Sequence, residues 1–390
     1  MEKREPLADF SLLGGPLYQL GGRLGLVRDN TNTTALGLVL GVLPWIVLLA
    51  LALVEGLGRV LFSIEAVGAH VRLLVAIPLL FVCEAFVDPR FTAFVRELVR
   101  SQVVPASTRP ALASEIARIT RWKDAWLPEA LFLLAAALLA LTTPNQNFFA
   151  YLSGLTGGSN PAAVGQTTWT SQWYWMVCMT VFRFLLLRWL WRLAQWCFFL
   201  WRLSRLELRL VPTHPDRAGG LGYLELVQTE FTPLVLVIST AQSASLAQDI
   251  ATGRMALDSI YPGIAFILLV DAVLFIGPVC MFSRKLWQCR VTGLSDYGAF
   301  AERYVNEFDR KWLGAEPAPE EPLLGTADIQ SLADLSNSVG LVRDMRLVPV
   351  SSRMLMHLAV AALLPLLPLA LFKYPISDLL VKFFERLSGL

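Results

Sequence analysis

Charge is scarce in this chain. Only 16% of its 390 residues are Asp, Glu, Lys or Arg, against about 25% in ordinary soluble domains. A water-dispersed globule of this length is thereby excluded. Lysine is rarer still, six of 33 basic residues, a bias expected of a GC-rich bacterial genome. The excess of basic over acidic residues is only +2, which gives no ground for a nucleic-acid partner. Residues 142–172 contain no charged side chain at all.

Catalytic and metal-binding signatures are missing as well. Five cysteines (Cys83, Cys178, Cys197, Cys280 and Cys289) form no CxxC pair, and most sit in or beside apolar runs, where cysteine behaves as a small hydrophobe. The three histidines, His70, His214 and His357, are too scattered to suggest a shared metal. No HExxH, GxSxG or GK[ST] string occurs, and no dinucleotide fingerprint. The sequence therefore predicts no catalytic residue, no metal and no cofactor.

What is abundant is apolar sequence, 55% of the chain, in blocks long enough to cross a bilayer, which takes about 20 residues per helix. The fold expected is all-α: a polytopic membrane helix bundle of about seven transmembrane helices plus amphipathic cytoplasmic helices. The spans are expected near 35–56, 70–88, 124–143, 173–200, 223–246, 261–282 and 355–373. Residues 1–282 would carry six spans, 283–354 a cytoplasmic helical segment, and 355–390 the last span and an amphipathic tail. Because the first long apolar run begins near Ala35, the start of the sequence does not read as a cleavable signal.

Arginine distribution orients the bundle. Arg90, Arg96, Arg100, Arg109, Arg118, Arg121 and Lys123 crowd one loop, and Arg202, Arg205, Arg209 and Arg217 another. The uncharged 142–172 loop lies between them. These facts predict a cytoplasmic N-terminus, that loop outside, and an inner-membrane location. Seven spans would put the C-terminus outside. Pro365 and Pro368, followed by Lys373, Lys382 and Arg386, leave open a re-entrant hairpin with a cytoplasmic tail. Residues 89–121 are expected along the cytoplasmic interface. The 283–354 segment reads as a helix to about Leu313, the linker AEPAPEEP, and a helix capped by Thr326 with Ile329, Leu332, Leu335, Val339 and Val342 on one face. This segment is a candidate surface for a cytoplasmic protein partner.

Ionisable groups inside apolar runs cost about 2.5–3.5 kcal/mol each and so mark structure or pathway. Asp271 interrupts IAFILLVDAVLFIG, and the fourth span carries Arg183, Arg188 and Arg192. Asp271 and Arg183 are expected at similar depth and paired, with Arg188 as the second choice. Arg188, Arg192, Gln195, Arg202 and Arg209 fall within a sector of about 100° on a helical wheel. Their spacing does not repeat every third residue, as a voltage sensor requires. On the fifth span Ser239, Gln242 and Ser243 share a face, suited either to lining a pore or to joining helices. Glu84 and Glu129 are expected to face the interface or to be paired.

The loop LVPTHPDRAGGLGYL packs His214, Pro215, Asp216, Arg217, Gly219, Gly220 and Gly222 into nine positions. A fixed proline φ and glycines free to adopt φ > 0 suit one rigid shape: a turn capping the fifth helix, a ligand or gating site, or a catalytic loop with His214, Asp216 and Arg217 as base, orienter and phosphate clamp. It resembles the HPDxAGGLG loop of an uncharacterised family of bacterial multi-pass inner-membrane proteins. That resemblance covers about a dozen residues and implies inner-membrane location but no activity. The leading functional expectation is an oligomeric channel- or transporter-like body with a polar path along helices four to six. A membrane-embedded enzyme acting on a lipid or isoprenoid phosphate and a non-catalytic scaffold or sensor are the rivals.

Overall fold

The computed structural model describes residues 10–27, 33–142, 168–253, 255–256, 259–314 and 327–372. Every regular element among them is helical. A short helix, α1 (Pro16–Arg23), precedes the first long one, α2 (Thr34–Val54). The third, α3, runs continuously over Val67–Arg100 with a π turn at Val71–Ala76. After it come α4 (Arg109–Lys123) and α5 (Trp126–Thr142). The next, α6, comprises Trp169–Trp173, a π turn Tyr174–Cys178 and Met179–Arg205. Then follow α7 (Tyr223–Thr229), α8 (Thr232–Ala251), α9 (Tyr261–Phe275), α10 (Ser283–Trp312), α11 (Ala327–Arg343) and α12 (Ser352–Leu363), which continues as a 3-10 turn over Leu364–Phe372.

Among the described residues, four helices are long and apolar enough to cross a membrane: Thr34–Val54, Val67–Arg100, Tyr223–Ala251 and Ser352–Phe372. Two bent pairs raise the number to six, with α4 and α5 meeting at 43° and α9 and the helix following it at 45°. The chain is therefore a multi-pass membrane protein. Of the about seven spans expected from sequence, four to six are found by this measure among the described residues.

Helix α2 serves as a ruler. Its 21 residues rise about 31 Å, close to the hydrocarbon thickness of a bilayer. At its start, the Thr33 hydroxyl meets the Phe81 carbonyl of α3 at 3.4 Å, and Gly37 packs directly on the Phe81 ring. Seven residues in, Gly41 lies against the Leu73 carbonyl. Near mid-length, the Pro44 carbonyl accepts the Trp173 indole N–H at 3.0 Å. At its far end the Glu55 carboxylate accepts the backbone N–H groups of Trp169 (2.7 Å) and Thr170 (3.1 Å), capping α6. Two levels follow, a Thr33 level and a Glu55 level, and every other helix can be placed between them.

The Thr33 side carries a compact polar-capped assembly. Val103 accepts from Arg209 N at 2.8 Å, Arg202 pairs with Glu115 at 2.6 Å, and Trp196, Phe91, Phe94 and Phe199 stack into a buried aromatic centre. Residues 89–100 extend α3 rather than lying along an interface, and α4 is the separate helix after them. Helix α6 ends at Arg205, so Arg209 leaves the expected basic stripe. The two helices expected after residue 283 form an antiparallel hairpin, closed where Asp328 accepts from Lys311 (2.9 Å) and Trp312 Nε1 (3.2 Å). Thr326, the AEPAPEEP linker, most of the 142–172 loop and the 376–390 tail lie outside the described residues.

Candidate functional site

Two helices, α3 and α6, bring the ionisable groups of the bundle face to face. On α3, Glu84 and Asp88 are one turn apart; on α6, so are Arg188 and Arg192. Spacing of i, i+4 puts each pair on one helical face. All four are buried. Arg188 donates from Nη1 to Glu84 Oε1 at 3.0 Å, from Nε to Glu129 Oε1 of α5 at 2.9 Å, and from Nη2 to the Gly14 carbonyl at 3.1 Å. Arg192 donates from Nη1 to the same Glu84 oxygen. Burying such ions is compensated only when lone pairs and protons find partners, and here nearly all do. Arg192 Nη2 and Glu84 Oε2 have none. Both residues line a cavity of about 10 Å³ together with Leu12, Leu13, Asp88 and Trp189, room for a single water.

The remaining carboxylates strap the segment before α2 into the bundle. Asp88 accepts from the Ser11 hydroxyl (2.8 Å), Leu12 N (2.9 Å) and Leu13 N (3.2 Å). Glu129 Oε2 accepts from Leu17 N at 2.9 Å. Phe10 is fully buried and stacks on Phe199 at 4.6 Å. Against the α2 ruler this network sits at the Thr33 level, since Glu84 is three residues past Phe81.

A second pair of cations sits higher. Arg72, in the π turn of α3, is next to Leu73 and so level with Gly41. It donates to the Tyr174 hydroxyl and to Ser245 Oγ, both at 2.7 Å. Arg183 turns back toward the start of α6, its guanidinium 5.8 Å from the centre of the Trp175 ring. The expected pairing of Arg183 with Asp271 does not form, and Arg188 is taken by glutamates. Both Asp271 carboxylate oxygens lack a partner, as does Arg183 Nη1. Depth is the reason. Gln228 bridges Trp196 Nε1 (3.0 Å) and the Phe275 carbonyl (2.6 Å), and Trp196 lies 13 residues beyond Arg183, about 20 Å along the axis. Asp271, one turn before Phe275, therefore lies toward the Trp196 end of α6, whereas the Arg183 side chain points the other way.

The Ser239 and Ser243 hydroxyls donate to the carbonyls of Ala362 and Pro365. They join α8 to α12 rather than lining a path with Asp271. Gln242 points outward and is exposed, and Gln195 is buried with both amide atoms unpaired.

The 214–222 loop is locally closed. Asp216 accepts from the backbone N–H groups of Ala218 (2.7 Å), Gly220 (3.0 Å) and Gly222 (2.7 Å), with His214 Nδ1 at 2.8 Å. Partial burial pushes its carboxyl up, but these N–H donors and His214 outweigh burial and hold it below the usual value. Arg217, Gly219 and Gly220 all have φ > 0. A side chain at Gly220 would meet Val103 at 2.6 Å, and one at Gly222 would meet Asp216 itself at 2.7 Å. Arg217 reaches only Asp344, at 3.8 Å on the surface. Arg346 fastens the loop from outside, its Nη2 on the Asp216 carbonyl at 2.8 Å and its Nη1 on Glu225 at 2.8 Å.

Sequence reading missed Arg72 and Asp88. Both lie within the expected second span, so an intramembrane charge was the signal available for each. Among the described residues no group of His, Cys, Asp and Glu could hold a metal ion. In comparison with known proteins, no family model, no curated protein and no solved structure matches this chain. Fold and site thus define its class, a multi-pass helical membrane protein with buried charges between two helices.

Proposed function

We propose that this chain is a membrane transport protein, of channel or carrier type, whose path follows the α3–α6 seam. One observation carries this reading. Ionisable side chains occupy the facing sides of α3 and α6 at successive depths, Arg72 deepest, Arg183 reaching back toward Trp175, and Glu84, Asp88, Arg188 and Arg192 at the Thr33 boundary. Charges at such depth mark ion and substrate pathways or the pairs that gate them. The strapped segment Phe10–Arg23 then acts as the closure at the Thr33 end. This moves the path away from the Ser239 and Ser243 face, whose hydroxyls are used between helices.

The finer topology belongs to the same proposal: seven crossings, an N-terminus in the cytoplasm, a bacterial inner membrane and a homo-oligomer. Support comes from the arginine-rich loops gathering at the Thr33 level while the charge-free loop leads into α6 at the Glu55 level. Exposed Trp287 and Phe300 on the α10–α11 hairpin support a protein partner there. The enzyme reading draws less support, because Asp216 is engaged by its own loop.

Purified protein in liposomes, assayed for flux of potassium, chloride and phosphate, tests the proposal. The expected result is flux of at least one ion above empty liposomes. Flux equal to empty liposomes for all three overturns it.

A further inference from the structure

We infer that Arg72 and Arg183, with Tyr174, Trp175 and Ser245, form a binding site for a small inorganic anion between α3, α6 and α8. The first ground is uncompensated charge. Arg72 has only the neutral Tyr174 and Ser245 hydroxyls as hydrogen-bond partners, and Arg183 only the face of the Trp175 ring. The two sides are linked through adjacent rings, Tyr174 packing edge-on against Trp175 with 5.6 Å between ring centres. No carboxylate lies within ion-pair distance of either among the described residues. Below them, in contrast, Arg188 and Arg192 share glutamates.

The second ground is the unused chemistry. Arg183 Nη1 and Trp175 Nε1 are buried N–H donors with no acceptor, on two residues whose guanidinium and ring centre are 5.8 Å apart. Donors without acceptors, beside two positive charges, call for an anion.

Backbone geometry is the third. Arg72 and Tyr174 both lie in π turns, Val71–Ala76 and Tyr174–Cys178, and their side-chain hydrogen bond links the two turns. Such turns within α-helices recur at functional sites. Gly68 supplies clearance, since a Cβ there would meet Gln248 Oε1 at 2.7 Å and Arg72 Nη1 at 2.9 Å. Depth selects the ligand. Gly41 and Pro44, which mark the level of Arg72 and Trp173, are about 10 and 15 Å along α2 from its start, and Arg183 reaches back toward them, so a halide-sized anion fits the class.

The inference concerns binding and stands whether or not the chain conducts. Its test is thermal unfolding of the full chain in detergent, titrated with sodium chloride against sodium gluconate at constant ionic strength. Wild type is expected to show a saturable, chloride-dependent rise in melting temperature. Arg183→Gln is expected to lose that dependence while melting in gluconate at or above the wild-type temperature, because an uncompensated charge has gone. Tyr174→Phe, which keeps both arginines, should weaken apparent chloride affinity several-fold and serves as the second variant. Equal chloride dependence in wild type and Arg183→Gln, no dependence in wild type, or a lower melting temperature of Arg183→Gln in gluconate each overturns the site.

Discussion

The 214–222 loop and the Glu84–Arg188–Arg192 network solve one problem by opposite means. Each must hold a partly or wholly buried carboxylate. Asp216 uses backbone N–H groups two, four and six residues away, made available by Gly219, Gly220 and Gly222. Glu84 uses side chains 104 and 108 residues away on another helix. The loop is therefore a local device that folds with its own turn. The network exists only once α3, α5 and α6 have packed, and it brings residues 10–17 with it. The contrast teaches that the loop is a fixed turn, whereas the network couples four segments and is the place where a shift in one is felt by the others.

Breaking the network is expected to have the largest effect. Arg188→Gln leaves Glu84 with a single guanidinium and Glu129 with only the Leu17 N–H, inside a site that is almost wholly buried. Removing one member of a buried ion network costs about 3–5 kcal/mol. The variant should lose its monodisperse peak in detergent and release the segment around Phe10, read as new proteolytic cleavage before α2. If Arg188→Gln elutes and melts like wild type, the network does not couple these segments.

A smaller effect is expected at the loop. Asp216→Asn keeps the shape but weakens three hydrogen bonds, at a cost of about 1–3 kcal/mol. The pH dependence has a definite sign. The folded carboxyl is held below its ordinary 3.8, so its stabilisation is fully present above that value and is lost as pH falls through the folded pKa. Hydrogen exchange of the Ala218, Gly220 and Gly222 amides should accelerate below about pH 4 in wild type. It should be fast at all pH values in Asp216→Asn. Unchanged protection in that variant would show that Arg346 and the glycine conformations suffice.

The smallest expected effect separates Asp271 from the arginines altogether. Asp271→Asn and Arg183→Gln should combine additively, within about 0.5 kcal/mol, in a thermal-unfolding cycle. A larger coupling would restore the pair that the depths of the two residues forbid.

The same comparison explains what the sequence made legible. The apolar runs of α2, α5 and α12 announced themselves, as did the helices after residue 283, because each is written in consecutive residues. Glu84 and Glu129 were visible as intramembrane acids, but not as partners of one arginine, since nothing in a single sequence ties residue 84 to 188. The depth of Asp271 was misjudged for a related reason. Apolar length suggested a full span from residue 261, whereas α9 has 15 residues and its Phe275 end is tied to Gln228 far below Arg183. Ser239 and Ser243 shared a face as expected, but which helix that face met depended on α12, more than 100 residues later.

The central claim is that the α3–α6 seam, and not the serine face of α8, carries the path. The most direct measurement is ion flux into liposomes for wild type, Arg72→Gln, Arg183→Gln and the double variant Ser239→Ala with Ser243→Ala, each first shown to be folded. The account predicts that wild type conducts and that each arginine variant changes rate or ion preference by about tenfold, equivalent to about 1.4 kcal/mol at the barrier. The serine variant should stay close to wild type. Flux that responds to the serine pair and ignores both arginines would contradict it.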